Sequence, residues 1–480
     1  MSLLPYFDPR HMLPRSMKNE VGQLPPTGEM YKEYIRIALP SVCEMVLISL
    51  INMMDTVMVS SIGTDAVAAV GLVGQPRMIM LSLFFALNTG ITAVIARRKG
   101  EERRTEANAT MRTSIIMILL LSAILMAVLL PLGRSLMLFA GAEAGRTLES
   151  STEYFTILGW ALPFQALSMG LCAAQRGVGN TKLTMQVNIA SNVVNIIFNY
   201  LLINGIGPFP KLGVRGAAIA TAIGLVVGFF LSVRAMFHSH GAFLNLNRHD
   251  SWKPDLPSVK ALTQVSSSAM VEQLAMRIGF FAYARIVADL GTDAFAAHQI
   301  CGQFLNLSFS FADGLGIAGT SLVGQMLGRK RRDLAHVYGT LAQRFSLAIG
   351  LGLAAACILL RDPLVSMFIS GDETGAVRAM AVSTMVVLGL IQPVQMVSVV
   401  TAGALRGAGD VKYTARTMLI TVTCIRPVLA LLGVYICQNV LHRSDIALVA
   451  AWAATLVDMS VRVTLMLRRY RSEKWHSIRV

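Results

Sequence analysis

SIGTDAVAAVGLVGQ, from Ser61 to Gln75, returns 228 residues later as DLGTDAFAAHQICGQ, from Asp289 to Gln303, identical at eight of fifteen positions without a gap. Each copy follows one long apolar segment and opens another. At an offset of 230, GWALPFQALSMGLCAAQRGVGNTK (Gly159 to Lys182) aligns with GLIQPVQMVSVVTAGALRGAGDVK (Gly389 to Lys412). Pro163 falls on Pro393, Gln165 on Gln395, Arg176 on Arg406 and Lys182 on Lys412. Two basic glycine turns also correspond, ARRKGEERRTEA around Gly100 and GQMLGRKRRDLA around Gly328. Solenoid repeats have periods of about 20 to 50 residues, so a repeat this long describes two equivalent lobes.

The rest of the chain says what the lobes are made of. Apolar residues are 54% of the chain, charged residues 14%, and the mean hydropathy is +0.59, against roughly 45–50% apolar and 25% charged in soluble domains. Apolar runs near the length of about 20 residues that crosses a bilayer centre on residues 48, 82, 125, 163, 195, 226, 273, 309, 350, 392, 426 and 457. The expected fold is an all-α polytopic membrane protein with twelve transmembrane helices in two pseudo-twofold-related six-helix lobes. An even number of spans per repeat brings both copies in from the same face, which puts the symmetry axis along the membrane normal. The expected limits are an N-terminal tail at 1–33, lobes at 34–240 and 258–469, a linker at 241–257 and a tail at 470–480.

Lys and Arg collect in short cytoplasmic loops. Arg97, Arg98, Lys99, Arg103 and Arg104 lie between spans 2 and 3, and Arg329, Lys330, Arg331 and Arg332 between spans 8 and 9. Both termini are therefore expected in the cytoplasm, in a multi-pass protein of the cell's inner membrane. The net charge of +15 then reflects topology and contact with anionic headgroups, and no nucleic-acid partner is expected. The six Cys are scattered through apolar spans without the close pairs of metal or redox motifs. GLGIAG, Gly314 to Gly319, has dinucleotide-fingerprint spacing but lies inside a span with no preceding strand, and small residues at a helix contact account for it. With no Walker sequence, HExxH or nucleophile elbow, neither an ATP-driven pump nor an enzyme is expected.

Ionisable groups inside spans are costly and mark function by default. Glu44 and Asp55 share one face of span 1, eleven residues apart. Span 5 carries Asn188, Asn192, Asn195 and Asn199 on one face. At 1.5 Å per residue, Asp55, Asn195, Asn199 and Thr221 lie roughly 8–14 Å below the outer surface, so carboxylate, amide and hydroxyl oxygens share a level and can coordinate a hard cation. The competing reading pairs Asp55 with Arg77 as structural glue. Glu272 falls on Glu44 at the 228 offset, and an acid on each wall of a cavity suits an organic cation or a proton; the competing reading is a salt bridge to Arg277 or a neighbouring helix. Asn188, Asn192 and Met53 join Glu44 and Glu272 as candidate cavity residues, and Pro40 can bend span 1. Arg426, Asp458 and Arg462 read as a structural ion-pair cluster. Asp313, Arg77, Arg277 and Arg285 receive no role.

DTVMVS (Asp55 to Ser60), the basic glycine turns, QRGVGNTK with its echo LRGAGDVK, and NVVNIIFNYLLINGIGPFPKLGVRGAAIAT (Asn192 to Thr221) together resemble the multidrug and toxic compound extrusion (MATE) family, from about residue 30 to the end. The resemblance implies a monomeric secondary antiporter that needs no cofactor and exports drug-like, often cationic organic compounds in exchange for Na⁺ or H⁺. One branch of the family binds the coupling ion through a helix 1 aspartate, an asparagine and an acid in helix 5, and a helix 6 threonine. Those positions match Asp55, Asn195, Asn199 and Thr221, with an amide at Asn199 where that branch has an acid. Glu272 resembles the helix 7 acid of another branch, whose helix 10 acid has no match here. The alternative is a flippase for lipid-linked saccharide precursors, kept open by Arg77, Arg277 and Arg285.

Overall fold

The computed structural model describes residues 12–13, 24–238, 242–246, 251–368, 375–443 and 446–478. Much of the expected N-terminal tail and parts of the linker and C-terminal tail fall outside them. Twelve long helices carry the chain: α1 Thr27–Ser60, α2 Thr64–Gly100, α3 Arg104–Leu129, α4 Leu148–Gly177, α5 Thr181–Asn204, α6 Gly213–His238, α7 Leu256–Ala288, α8 Thr292–Gly328, α9 Arg332–Leu359, α10 Gly375–Gly407, α11 Val411–Val440 and α12 Ala447–Arg471. Among the described residues there is no strand. Ten of the twelve are apolar and long enough to cross a membrane by composition alone; α7 and α8 fall short. Those two carry Glu272, Arg277, Arg285, His298 and Asp313.

The duplication holds at the level of the backbone. Gly63 and Gly291, in the quoted copies, have φ of 141° and 105°, and Gly179 and Gly409 have 85° and 88°, a region that side-chain-bearing residues avoid. Glu102 and Lys330 share the left-handed region at 59° and 62°, each in its basic turn. The short helices Gly133–Phe139 and Arg361–Ser366 also begin 228 residues apart. Even a helix-helix hydrogen bond is repeated: Thr92 Oγ1 donates to Ala173 O at 3.0 Å, and Thr320 Oγ1 to Gly403 O at 2.7 Å. The repeats differ in the eleventh helix, where two π-helical stretches, Leu419–Ile425 and Ile436–Val440, flank Arg426–Tyr435.

Packing divides the chain into two units, residues 43–270 and residues 1–42 with 271–480. The expected lobe limits follow the helix count, whereas these boundaries fall inside α1 and α7. They are themselves one repeat apart, since 271 − 43 = 228.

In the unit of residues 43–270, α6 lies close on α5 because Gly216, Gly224 and Gly228 face it. A Cβ at Gly224 would stand 2.8 Å from Ser191 O and 2.9 Å from Asn195 Cβ. Tyr154, Phe155, Leu158, Ile203, Ala217 and Ala218 pack into one core cluster.

In the other unit, α10 is central. Gly403 leaves room for Gly316, where a Cβ would come 2.7 Å from its carbonyl oxygen. Gly314 in turn accommodates Val42, so the GLGIAG segment acts as a small-residue contact. The first half of α1 belongs here: Tyr34 OH donates to Leu315 O at 3.3 Å and its ring stacks on Phe345. α1 begins at Thr27, within the span expected as tail. The segment 474–477 after α12 folds back as well, with Trp475 buried and its Nε1 donating to Tyr470 O at 2.7 Å.

Candidate functional site

Asp55 lies near the C-terminal end of α1 and is half-buried. Asn199 Nδ2 donates to its Oδ1 at 2.9 Å. The Asn195 amide is satisfied with Nδ2 toward Asp55, 3.1 and 3.2 Å from the two carboxylate oxygens, while its Oδ1 accepts from Thr221 Oγ1 and N at 3.2 Å each. Turned over, Nδ2 donates to Thr221 Oγ1 at 3.2 Å and Oδ1 accepts from Asn199 Nδ2 at 3.5 Å. Asn199 Oδ1 is buried without a protein partner. The four residues read from the sequence as one level therefore form one group, held together by the close α5–α6 approach at Gly224.

Three neighbours complete its surroundings, of which only Arg77 was read from the sequence, as the competing partner of Asp55. Arg77 Nη2 donates to Gln165 Oε1 at 3.3 Å and bears on Asp55 as a nearby charge. The expected alternative, an Asp55–Arg77 bond, is replaced by this amide contact. Tyr154 contributes a hydroxyl beside Thr221. Gln165 lies in the duplicated stretch and could have been found there, but no spacing rule links Tyr154 to α1.

Glu44 is fully buried at 0% exposure. Arg176 Nη2 donates to its Oε1 at 2.5 Å, Asn188 Nδ2 to the same oxygen at 2.6 Å, and Thr184 Oγ1 to Oε2 at 2.8 Å. Asn192 turns back to Asn188 O at 2.8 Å, and Met53 is exposed. In the other unit Glu272, 1% exposed, accepts from Arg406 Nη1 at 3.1 Å and Thr414 Oγ1 at 3.0 Å. Each acid is enclosed with an arginine, and for Glu272 the geometry is that of the competing reading, a salt bridge to a neighbouring helix, made by Arg406 and not by Arg277. A buried carboxylate already bonded to guanidinium and hydroxyl has little left to offer a cation. The Arg and Thr of both sets were legible in the duplicated QRGVGNTK and LRGAGDVK stretches and the residues just after them.

Asp458 Oδ2 accepts from Arg426 Nε and Nη2 at 2.9 and 2.7 Å and from Arg462 Nη2 at 2.7 Å, while Arg462 Nε reaches Thr421 Oγ1 at 3.1 Å. Arg426 also lies over the rings of Phe280 and Tyr283. Asp313 is exposed, on α8, within the electrostatic reach of Arg406 and Glu272. Arg285 pairs with Asp289 at 3.1 Å. Among the described residues no group of three His, Cys, Asp or Glu is placed to hold a metal.

Twelve long helices in a duplicated arrangement, ten of them apolar enough to cross a membrane, with one carboxylate set among amides, define a polytopic membrane transporter. The MatE family model matches the chain twice, at residues 40–201 and 268–432, and the chain belongs to that family of transporters, which are not enzymes. A Thermotoga maritima protein described as a probable multidrug resistance protein NorM is 30% identical over 93% of each chain. A Bacillus subtilis protein, the uncharacterized transporter YisQ, is 24% identical over 88% of this chain and 90% of its own. An outward-facing multidrug resistance MATE transporter of the MOP superfamily superposes with a TM-score of 0.84 at 21% identity, over 92% of this chain and 96% of its own.

Proposed function

We propose that the protein is a secondary antiporter that exports drug-like, often cationic organic compounds in exchange for Na⁺ or H⁺ across the cell's inner membrane, as a monomer with both termini in the cytoplasm. The observation that carries this reading is Asp55 held by two amides, one of them braced by Thr221, with an orphaned amide oxygen on Asn199 beside it. A carboxylate in that setting can exchange amide donors for a cation. With the ion bound, the oxygens of Asn195 and Asn199 face it; without it, their NH₂ groups turn to the carboxylate. Reorientation of an amide about one side-chain bond is a small step, so loading and release are reversible.

Each charge carried inward across 100 mV supplies about 2.3 kcal/mol, enough for roughly a fiftyfold substrate gradient. If ion binding at Asp55 bends α1, which carries Pro40 inside its length, ion and substrate compete, and competition is antiport. Met53 and Asn192 are the proposed substrate-side residues. Of the three arginines behind the flippase alternative, Arg77 donates to Gln165 and Arg285 pairs with Asp289, which leaves Arg277 as its main support.

The test is transport in proteoliposomes with Na⁺ and H⁺ gradients imposed separately, following ethidium or norfloxacin. Gradient-driven movement is expected in one arm, and Asp55→Asn is expected to abolish it at normal expression. Unchanged movement in that variant would refute the assignment.

A further inference from the structure

α1 and α7 are the two helices that the packing divides, at Val42/Cys43 and at Met270/Val271. One residue beyond each crossing comes a buried acid, Glu44 or Glu272. Each is gripped in the same way by its own unit: by an arginine in the last turn of the fourth helix of the repeat, Arg176 or Arg406, and by a threonine in the first turn of the fifth, Thr184 or Thr414. Each threonine hydroxyl also reaches back at 2.8 Å to the carbonyl three residues earlier, Thr181 O or Val411 O. The turns between those helices are the duplicated glycine stretches, with Gly179 and Gly409 in matching backbone geometry.

The residues around Asp55 are not duplicated. Counting by the same offsets, Asp55 falls on Tyr283, Asn195 on Ile425 and Asn199 on Leu429. What both repeats keep is therefore the clamp at the crossing and not the ion site. A buried ion pair adds little stability over well-packed apolar groups, but it is directional and fixes one register.

We propose that Glu44–Arg176–Thr184 and Glu272–Arg406–Thr414 are twin positioning clamps that fix the point about which α1 and α7 pivot as the transporter changes state. Neither acid carries the coupling ion. The inference rests on the transporter reading above for the change of state, and on geometry alone for the clamp.

The test uses the full chain in lipid nanodiscs and proteoliposomes, with Glu44→Gln and Glu272→Gln singly and together. Amide hydrogen exchange is expected to rise about tenfold in residues 37–48 for the first variant and 265–276 for the second, with the remainder unchanged. The maximal rate of dye movement should fall about tenfold with the half-saturating concentration unchanged, and the pH profile should keep its midpoint. The charge-exchanged pair Glu44→Arg with Arg176→Glu should recover part of the rate. If Glu44→Gln does not fold, Thr184→Val loosens the same clamp more gently and should raise exchange in the same window. Exchange rising throughout a unit would make the groups plain fold stabilisers, and a shifted pH midpoint would make them proton carriers; either result overturns the proposal. Exchange does not depend on transport, so failure of the wild type to move dye would count against the transporter reading and leave the clamp to be judged separately.

Discussion

Asn199 sets the charge of the proposed ion site. Its amide donates to Asp55 through Nδ2 and leaves Oδ1 buried without a partner. Asn199→Asp would place a second carboxylate about 3 Å from the first, where the two repel until a cation lies between them. The expected outcome is a half-saturating Na⁺ concentration lower by about tenfold, equivalent to about 1.4 kcal/mol, with a lower melting temperature in Na⁺-free buffer. Ion-dependent thermal unfolding in detergent reads both. At the same scale Arg176→Ala strands Glu44 as an uncompensated buried charge, which costs about 3–5 kcal/mol and is expected to lower yield and melting temperature together. The grouping of Asn195, Asn199 and Thr221 around Asp55 was legible from sequence through depth and spacing. The enclosure of Glu44 and Glu272 was not, because spacing along one helix cannot say which neighbouring helix brings an arginine.

Among the helices, the site depends on how closely α5 and α6 approach. Gly224 permits that approach, since a Cβ there would meet Ser191 O at 2.8 Å and Asn195 Cβ at 2.9 Å. Gly224→Leu is expected to separate the helices, cost about 1–3 kcal/mol through overpacking, and weaken the Asn195–Thr221 contact enough to lower transport. Gly71→Ala on α2 is the control, because nothing lies within 4 Å of the added Cβ; it should be neutral or slightly stabilising, since Ala favours a helix over Gly by roughly 1 kcal/mol. Thermal unfolding and dye transport on the same preparations separate the two. The existence of ten of the twelve helices followed from apolar length, and that of α7 and α8 from their place in the repeat. The start of α1 at Thr27 and the π-helical stretches in α11 did not, because each depends on packing against other helices.

For the molecule as a whole, the segment after α12 shows how packing perturbs chemistry outside the membrane spans. His476 lies against Trp475, with His336 nearby, and is 7% exposed. Burial, with the nearby charges of His336 and Arg332, lowers its pKa from 6.5 to about 3. The docked segment thus binds fewer protons than the free one below pH 6.5, so its docking is fully stable above that pH and weakens as pH falls from 6.5 toward 3. A spin label at Ser477 is expected to gain mobility between pH 7 and 5 and to show no change between 7 and 8.5. His476→Phe should reduce the dependence to what the neighbouring buried His336 contributes, and Trp475→Ala should leave the label mobile throughout.

The sequence by itself determined the duplication, the twelve helices and the polar level around Asp55, because apolar length, repeat offset and helical rise are properties of a chain read along its own axis. Only the tertiary structure decided that Arg77 turns to Gln165, that Arg176 and Arg406 enclose the two glutamates, and that α1 and α7 each divide between packed units. Those choices are made across helix interfaces, where the cost of burying a charge is met by whichever neighbour packing brings within hydrogen-bond distance.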